Sequence, residues 1–333
     1  MKKSISFIPG IIFLFFVGLI SKYIGNSIPY ISYLIIAIAF GIISANLFAL
    51  PKIIEKGIAE THKLWLKTGI VVLGARVILK DLMEVGPKLL MMLIVFILLS
   101  MIIVEFLAST FSLDKKIGSC LASGTSVCGV SAVIATGGAI QAKKNHIAYG
   151  IATVLIFDVI TVFSYPIIGQ IFSIPPEVFG PWAGISMFST GTTVAAGFAH
   201  SAEAGQIATM AKMGRNVFIG IWALMYSLYY VKKGLNKKMV ENKGKYLWEK
   251  FPKIIVGFII MLIIANLGFL SSGQINSMKN AYNWLFMMAF VGLGYTINFK
   301  KLKQTGSKPF LTVLIAFIII SISCLITSYL LFA

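Results

Sequence analysis

The chain has few charged residues, and very few of them are acidic. Charged side chains make up 12% of its 333 residues, with 11 Asp or Glu against 29 Lys or Arg. A soluble domain is nearer one quarter charged. Hydrophobic residues make up 58% and the mean hydropathy is +0.91. This composition excludes an ordinary soluble domain and predicts a single all-α polytopic membrane domain over residues 1–333.

Cysteine and histidine are scarce, at three residues each. Cys120, Cys128 and Cys324 fall within apolar segments and show neither metal-ligand spacing nor a disulfide framework. No nucleophile–base arrangement is present, and no glycine-rich phosphate loop follows a strand. We therefore expect no metal, no cofactor and no enzymatic activity.

The net charge of +18 raises the question of nucleic acid as a partner. The lysines, however, cluster in short stretches between apolar segments, which is typical of the cytoplasmic loops of membrane proteins. We expect the lipid bilayer as partner rather than nucleic acid. An anionic substrate fits a smaller part of the excess, and a homodimer is compatible with this composition.

Eleven apolar segments are visible, several of them long enough to cross about 30 Å of hydrocarbon. The first follows Lys2 and Lys3, as in a signal peptide, but no small-residue cleavage site comes after it, so we interpret it as a retained transmembrane helix. The first half of the chain covers about 1–172 and the second about 182–333. The predicted segments are 7–24, 31–50, 64–79, 88–110, 117–140, 147–172, 182–205, 214–231, 254–270, 283–298 and 309–332.

Lysine-rich stretches give an orientation. If the segments alternate, one side of the membrane receives Lys2 and Lys3, the loop 52–67, Lys115 and Lys116, the loop 232–253 and the cluster Lys300–Lys308. The loop 232–253 alone has eight lysines against two glutamates. We predict that this side is cytoplasmic, with the N-terminus inside and the C-terminus outside the plasma membrane.

Lys143 and Lys144 do not fit strict alternation, which places them outside. If 117–140 and 182–205 are instead re-entrant, both lysines return to the cytoplasmic side and the later loops keep theirs. The sequence leaves nine and eleven spans open.

Two of these segments are interrupted by small and hydroxyl residues, at 123–131 and 189–197. Irregular backbone at membrane depth must be buried in protein or line a wet cavity. Paired interruptions indicate the substrate site of a secondary transporter, and free helix N-termini there favour an anion. Close packing of helices is the alternative. The predicted substrate-binding residues are Gly124, Thr125, Ser126, Gly129, Ser131, Thr190, Gly191, Thr192 and Thr193.

Charged residues near these interruptions are candidates for ion coupling or charge pairing. Asp158 lies in an apolar segment, where an acid indicates a functional site by default. It either binds a proton or sodium ion or pairs with Arg76 or Arg215. Arg76, and the group Lys212, Arg215 and Asn216, bind an oxyanion or sit at the membrane interface, and we favour the interface.

A weak internal repeat links the two ends of the chain. Residues 71–88 align without gaps to 291–308, with Gly74 and Gly294 among the identical positions. The copies run in opposite directions through the membrane, which is typical of inverted repeats. By segment order the counterpart of 117–140 is 283–298, so we add Gly292 and Gly294 to the predicted substrate site.

Six short motifs along the chain resemble those of the YeiH-type family, commonly labelled sulfate exporters. The resemblance covers nearly the whole chain and implies a secondary transporter related to the sodium/proton antiporter and bile-acid symporter fold. The chain departs from it at Phe188 and Ser189, where relatives usually have a histidine and an acid. Any coupling would then move to Asp158 or Glu203. The motifs that carry the resemblance are Gly69–Gly74, Gly124–Gly129, Trp182–Ser186, Lys212–Asn216, Gly292–Gly294 and Gly306–Pro309.

The function predicted from the sequence is secondary active transport of a small anion, such as sulfate or an organosulfonate. Access would alternate around a site near the midplane, with H⁺ or Na⁺ as a possible coupling ion. One alternative is a cation-coupled carrier or sodium/proton antiporter centred on Asp158. A second is a passive anion channel.

Overall fold

A computed structural model describes residues 7–28, 32–48, 50–235, 242–299 and 306–333. These residues form helices and turns without a β-strand, as the composition predicts. A short 3₁₀ turn, Gly74–Arg76, follows the third helix. The helices are α1 Ile8–Ser27, α2 Tyr33–Leu47, α3 Lys52–Leu73, α4 Leu79–Thr110, α5 Lys115–Ser123, α6 Gly129–Ala139, α7 Lys144–Ile171, α8 Pro176–Ser186, α9 Thr190–His200, α10 Ala202–Lys232, α11 Lys243–Lys250, α12 Ile254–Asn266, α13 Ser272–Tyr295 and α14 Ser307–Phe332.

Several helix boundaries follow from capping residues. The Asp114 carboxylate accepts from the Lys116 backbone N–H at 2.8 Å and starts α5. Ser271 and Gln274 form a reciprocal capping box at the start of α13. Such caps satisfy backbone N–H groups that have no partner inside the helix.

The chain divides into two compact units, each built from separate stretches. Unit 1 comprises the described residues within 1–86, 198–206 and 253–299, and unit 2 comprises those within 87–197, 207–252 and 300–333. Residues 172–182, which separate the two halves of the predicted single domain, lie within unit 2. The lysines at 300–305 lie outside the described residues.

Unit 1 contains the internal repeat in three dimensions. Asn46 ends α2, and its side chain donates to Ile297 O and accepts from Phe299 N, both at 2.9 Å. Asn266, 220 positions later at the end of α12, makes the same pair of bonds at the same distance to Val77 O and Leu79 N. Each repeat copy therefore holds the chain that leaves the last helix of the other copy.

Glycine packing follows the same symmetry. A Cβ on Gly294 would overlap Ile38 O, and a Cβ on Gly74 would overlap Phe258 O. Ile38 and Phe258 are again 220 positions apart. The repeat predicted from 71–88 and 291–308 thus extends back to α2 and α12, and in unit 1 it relates α2–α3 to α12–α13.

In unit 2, the first interrupted segment is a hairpin. α5 and α6 lie antiparallel, since Ser123 Oγ is 2.6 Å from Thr136 Oγ1 and Lys116 Nζ donates to Gln141 O at 3.3 Å. The turn lies at Cys128–Gly129, after a π-helical stretch, Gly124–Cys128. Both ends of the hairpin are therefore on the same side, which is the re-entrant arrangement for 117–140.

The second interrupted segment breaks at 187–189 between α8 and α9. Gly184 in α8 packs against Ala208 and Ala211 in α10, whereas Thr190 at the start of α9 bonds Asn216 farther along α10. α8 thus runs in the direction of α10. α9 joins α10 through the single residue Ser201, so α9 runs back along it. α8 and α9 therefore also run in opposite directions.

In the part of the chain that the structure describes, five helical stretches are long and apolar enough to cross a membrane by length and composition. They are Ile8–Gly25, Met83–Thr110, Lys115–Ala139, Lys144–Ile171 and Ser307–Phe332. The Lys115–Ala139 stretch satisfies these criteria only when it is counted as one helix. Its hydrogen bonds show that it turns back at Gly129, so it is a hairpin of two short helices.

Some predicted boundaries are wrong because hydropathy does not identify helices that are rich in polar residues. The predicted loop 52–67 is helical and belongs to α3, which buries Thr61 and His62 despite its charged outer face. α10 begins at Ala202, well before the predicted segment 214–231. The predicted loop 232–253 contains α11 within its described part.

Candidate functional site

The tips of the two hairpins meet inside unit 2. Cys128 Sγ lies 3.4 Å from Thr190 Oγ1, and a Cβ on Gly129 would overlap Ser189 Oγ. Gly129 has a φ of +53°, a backbone conformation that favours glycine. We call these four residues the crossing. The structure thus brings together the two interruptions that the sequence singled out.

Lys212, on α10, is fully buried at the crossing. Its ammonium group donates to Val127 O at 3.1 Å, to Met187 O at 3.0 Å and to Phe188 O. Three acceptors match the three N–H groups of a protonated lysine. These carbonyls lie at the two breaks, where helix ends leave C=O groups without intrahelical partners.

Arg215, one turn later on α10, serves the same two breaks. Its Nε donates to Ser126 O at 3.0 Å and its Nη2 to Thr125 O at 2.8 Å. Its Nη1 donates to three carbonyls of the other break, those of Gly184, Ile185 and Met187. Cations near helix C-termini are favourable because the carbonyl ends carry partial negative charge.

Our prediction that Lys212 and Arg215 lie at the membrane interface is wrong. Lys212 is 0% and Arg215 2% exposed, and backbone carbonyls take up their donors. Arg215 is also not the partner of Asp158. The two cations compensate the carbonyl ends of the interrupted helices, a need that depends on backbone geometry rather than on neighbouring side chains.

Asp158, on α7, faces the opposite end of the second break. Its Oδ1 accepts from Ser189 N and from Thr192 Oγ1, both at 3.0 Å, and its Oδ2 accepts from Ser189 Oγ. Asp158 is 2% exposed. Within the described residues, no Lys, Arg or His nitrogen comes within 4 Å of this carboxylate. The N-terminus of α9, predicted as a free anion site, is therefore already covered by Asp158.

Most of the predicted hydroxyl donors bond within their own helices. Thr125 Oγ1 donates to Leu121 O at 3.0 Å, and Ser126 Oγ donates to Ala122 O at 2.6 Å. Thr193 Oγ1 donates to Ser189 O at 2.8 Å. Gly124 and Gly191 are buried in the same region. These residues shape the crossing rather than offer free donors to a ligand.

Three predicted residues are in a position to meet a ligand. Ser131, in the first turn of α6, is exposed, and Thr190 is half-buried. Asn216 is 5% exposed and donates to Thr190 Oγ1 at 3.1 Å, and its own Oδ1 has no hydrogen-bond partner among the described residues. Rotation of the amide exchanges its donor and acceptor, so Asn216 can present either group.

The remaining predicted site residues lie in unit 1. Arg76 is half-buried, and its Nη1 donates to Tyr282 OH at 3.3 Å. A Cβ on Gly292 would overlap the His62 side chain, and Gly294 packs against α2. In unit 1 both glycines permit close contacts between helices.

Two residues that help to form this site were not predicted from the sequence. Ser189 was noted as a departure from the family pattern but not as a partner of Asp158, although its place next to the break was a usable signal. Phe188 packs among Phe157 and Phe317, with ring centroids 5.8 Å away in each case. Glu203, the other predicted coupling acid, is exposed.

Comparisons with known proteins identify relatives that are named membrane proteins. A family model described as conserved hypothetical protein 698 matches residues 9–313. A UPF0324 membrane protein of Nitratidesulfovibrio vulgaris is 31% identical, over 91% of this chain and 88% of its own. One from Staphylococcus epidermidis is 31% identical over 97% of both chains. No solved structure matches significantly.

Proposed function

Because the chain belongs to the family of conserved hypothetical protein 698, whose relatives are named UPF0324 membrane proteins, we propose a function from its own site. The proposed function is secondary active transport of a small anion such as sulfate or an organosulfonate. The observation that carries it is the charge around the crossing, where the described buried residues include two cations, Lys212 and Arg215, and one carboxylate, Asp158.

The polar groups at the crossing that do not bond Lys212 favour an anion over a metal cation. The carbonyls of Val127, Met187 and Phe188 accept from Lys212, so they are not free to coordinate sodium. The first N–H groups of α6 lie next to the exposed Ser131, and a helix N-terminus favours negative charge. Thr190 and Asn216 add polar groups on the facing side.

A cation-coupled carrier is the second candidate, and one observation favours it. Asp158 is a buried carboxylate with no cationic side chain within 4 Å in the described part of the chain. An acid at membrane depth is energetically costly, so its presence indicates a functional site. Protonation of Asp158 would give an anion carrier its coupling ion without a separate site.

The proposed location is the plasma membrane, with the N-terminus and the lysine-rich loops in the cytoplasm and the C-terminus outside. The hairpin of α5 and α6 supports this proposal because it puts Lys116 and Lys143 at the same end. Two re-entrant hairpins leave nine crossings. All of the lysine-rich stretches then fall on one side.

Counterflow of radiolabelled sulfate in proteoliposomes, with and without an imposed pH gradient, tests the proposal. A carrier gives saturable uptake that depends on unlabelled anion inside the vesicles. Uptake that neither saturates nor depends on internal anion would indicate a channel. If sulfate and a panel of organosulfonates all fail while sodium or proton flux depends on Asp158, the cation carrier replaces the anion carrier.

A further inference from the structure

Unit 2 contains a cavity away from the crossing. It has a volume of about 460 Å³ and lies between α4, α5 and α10. Ser119 is eight residues before Val127, so this cavity is on the order of 12 Å from the crossing along α5. The volume is within the usual range for small-molecule sites. The lining includes Glu105, Lys115, Trp222, Tyr226, Tyr229 and Tyr230.

Glu105 is the acidic group of this cavity. Both of its hydrogen bonds fall on one oxygen, since Oε1 accepts from Ser119 Oγ and from Tyr226 OH, each at 2.8 Å. Oε2 accepts no hydrogen bond from a described residue. No cationic nitrogen in the described ranges lies within 4 Å of the Glu105 carboxylate. The carboxylate is thus held in place by neutral donors while its charge stays unpaired.

Aromatic side chains line the cavity beside this carboxylate. Tyr229 and Tyr230 stand at 80° to each other with centroids 5.6 Å apart, which forms a corner of two ring faces. Tyr230 OH is also 3.1 Å from Ser119 Oγ, and this bond fixes its ring. Lys116 Nζ already lies 5.7 Å from the centroid of the Tyr230 ring. Tyrosine and tryptophan faces attract cations, and clusters of such rings recognise quaternary ammonium groups.

We propose that the cavity at Glu105 binds an organic ammonium group, with the carboxylate as counter-ion and Trp222, Tyr226, Tyr229 and Tyr230 as the aromatic wall. The ammonium group belongs either to a soluble compound or to a lipid headgroup. Lys115 is exposed at the edge of the cavity, where it would meet the acidic group of a zwitterion. The site is independent of the proposed transport function.

Binding to the full-length protein tests this site. In phosphatidylglycerol nanodiscs, which supply no ammonium group, tetramethylammonium is titrated against sodium at equal ionic strength and followed by calorimetry. We expect saturable binding of tetramethylammonium, about 10-fold weaker in Glu105→Gln and about 3-fold weaker in Tyr229→Leu. Glu177→Gln, an exposed acid outside the cavity, is the matched control and should bind like the unmodified protein.

A lipid arm identifies the source of the ammonium group. Nanodiscs that also contain phosphatidylethanolamine are examined by native mass spectrometry for lipid retained on the protein. Retention that is lost in Glu105→Gln and weakened in Lys115→Gln, with tetramethylammonium binding unchanged in the latter, identifies a headgroup. Binding of tetramethylammonium without lipid retention identifies a soluble compound.

Two results would overturn the proposal. One is the absence of saturable binding for both probes. The other is equal affinity of Glu105→Gln and the unmodified protein. Tyr229 is half exposed and makes no hydrogen bond among the described residues, so Tyr229→Leu keeps the test valid if Glu105→Gln does not fold.

Discussion

Ser189 donates two hydrogen bonds to Asp158, one from its backbone N–H and one from its hydroxyl. The pair joins α7 to the first residue before α9 and neutralises part of the charge of a buried acid. Thr192 supplies a third donor from the first turn of α9. A carboxylate from another helix thus acts as the N-cap of an interrupted helix.

Asp158→Asn separates the charge of this residue from its capping role. The amide keeps one acceptor for Ser189 N, and the Ser189 hydroxyl can rotate to accept from the new NH₂ group. We expect a loss of about 1–2 kcal/mol in stability, because a bond to a charged acceptor becomes a neutral one. Sulfate counterflow should persist but lose its response to an imposed pH gradient.

Ser189→Ala is the control for Asp158→Asn, since it removes one hydrogen bond and keeps the carboxylate. It should retain the response to the pH gradient. An unchanged pH response in Asp158→Asn would show that Asp158 is not the coupling group. A folded Asp158→Asn protein without any anion transport would favour the cation carrier.

Arg215 should be more sensitive to substitution than its place in an apolar helix suggests. Arg215→Met removes the Arg215 donors from five backbone carbonyls at the two breaks, and of these Met187 O keeps its bond from Lys212. Buried acceptors without partners cost about 1–3 kcal/mol each, so we expect a loss of more than about 3 kcal/mol. Arg215→Lys keeps the charge but has fewer N–H donors. Its stability should lie between that of the unmodified protein and that of Arg215→Met.

Thermal unfolding in detergent, followed with a thiol-reactive fluorophore, measures these losses because Cys120, Cys128 and Cys324 are free and buried. Lys233→Met, at an exposed position, is the matched charge-removing control and should not change the unfolding temperature. If Arg215→Met is as stable as Lys233→Met, the carbonyls do not need this cation.

The fold-back of α5 and α6 predicts the sidedness of two positions. In a background without the three native cysteines, Lys116→Cys and Lys143→Cys should both react with an impermeant reagent from the same side. The physical reason is the antiparallel contact between Lys116 and Gln141 at the open end of the hairpin. Reaction from opposite sides would restore a straight crossing of 117–140 and with it eleven spans.

Thr190 and Thr193 are two threonines one helical turn apart with different surroundings. Thr190 is half-buried and bonds Asn216, whereas Thr193 is fully buried and bonds its own helix. Thr190→Val should therefore raise the half-saturating anion concentration in counterflow by about 5-fold, the loss of roughly one hydrogen bond. Thr193→Val, of the same shape and chemistry, should leave it unchanged. Equal values for both variants would remove Thr190 from the binding site.

The sequence predicts the parts of this site that depend on residue type. Glycine and hydroxyl residues in two apolar segments indicated both interruptions, and the position of Lys143 raised the re-entrant alternative. The sequence could not show what Lys212 bonds to, because its partners are backbone carbonyls that carry no residue identity. For the same reason the sequence left open whether Asp158 pairs with an arginine, whereas in the structure it accepts from the backbone N–H and hydroxyl of Ser189, 31 positions away.

Asn46 and Asn266 offer a test of the internal repeat. Each side chain makes two hydrogen bonds, at 2.9 Å, to backbone that leaves the last helix of the other repeat copy. Asn46→Ala and Asn266→Ala should each cost about 2–4 kcal/mol, since each loses these two bonds and a third to a carbonyl of its own helix. The thiol-reactive unfolding assay measures both variants under the same conditions, and Asn280→Ala on α13 is the matched control. Equal losses are the result that two equivalent contacts require. If only one variant loses stability, the two asparagine contacts have the same geometry but do not contribute equally to stability. The correspondence between residues 220 positions apart would then reflect packing alone.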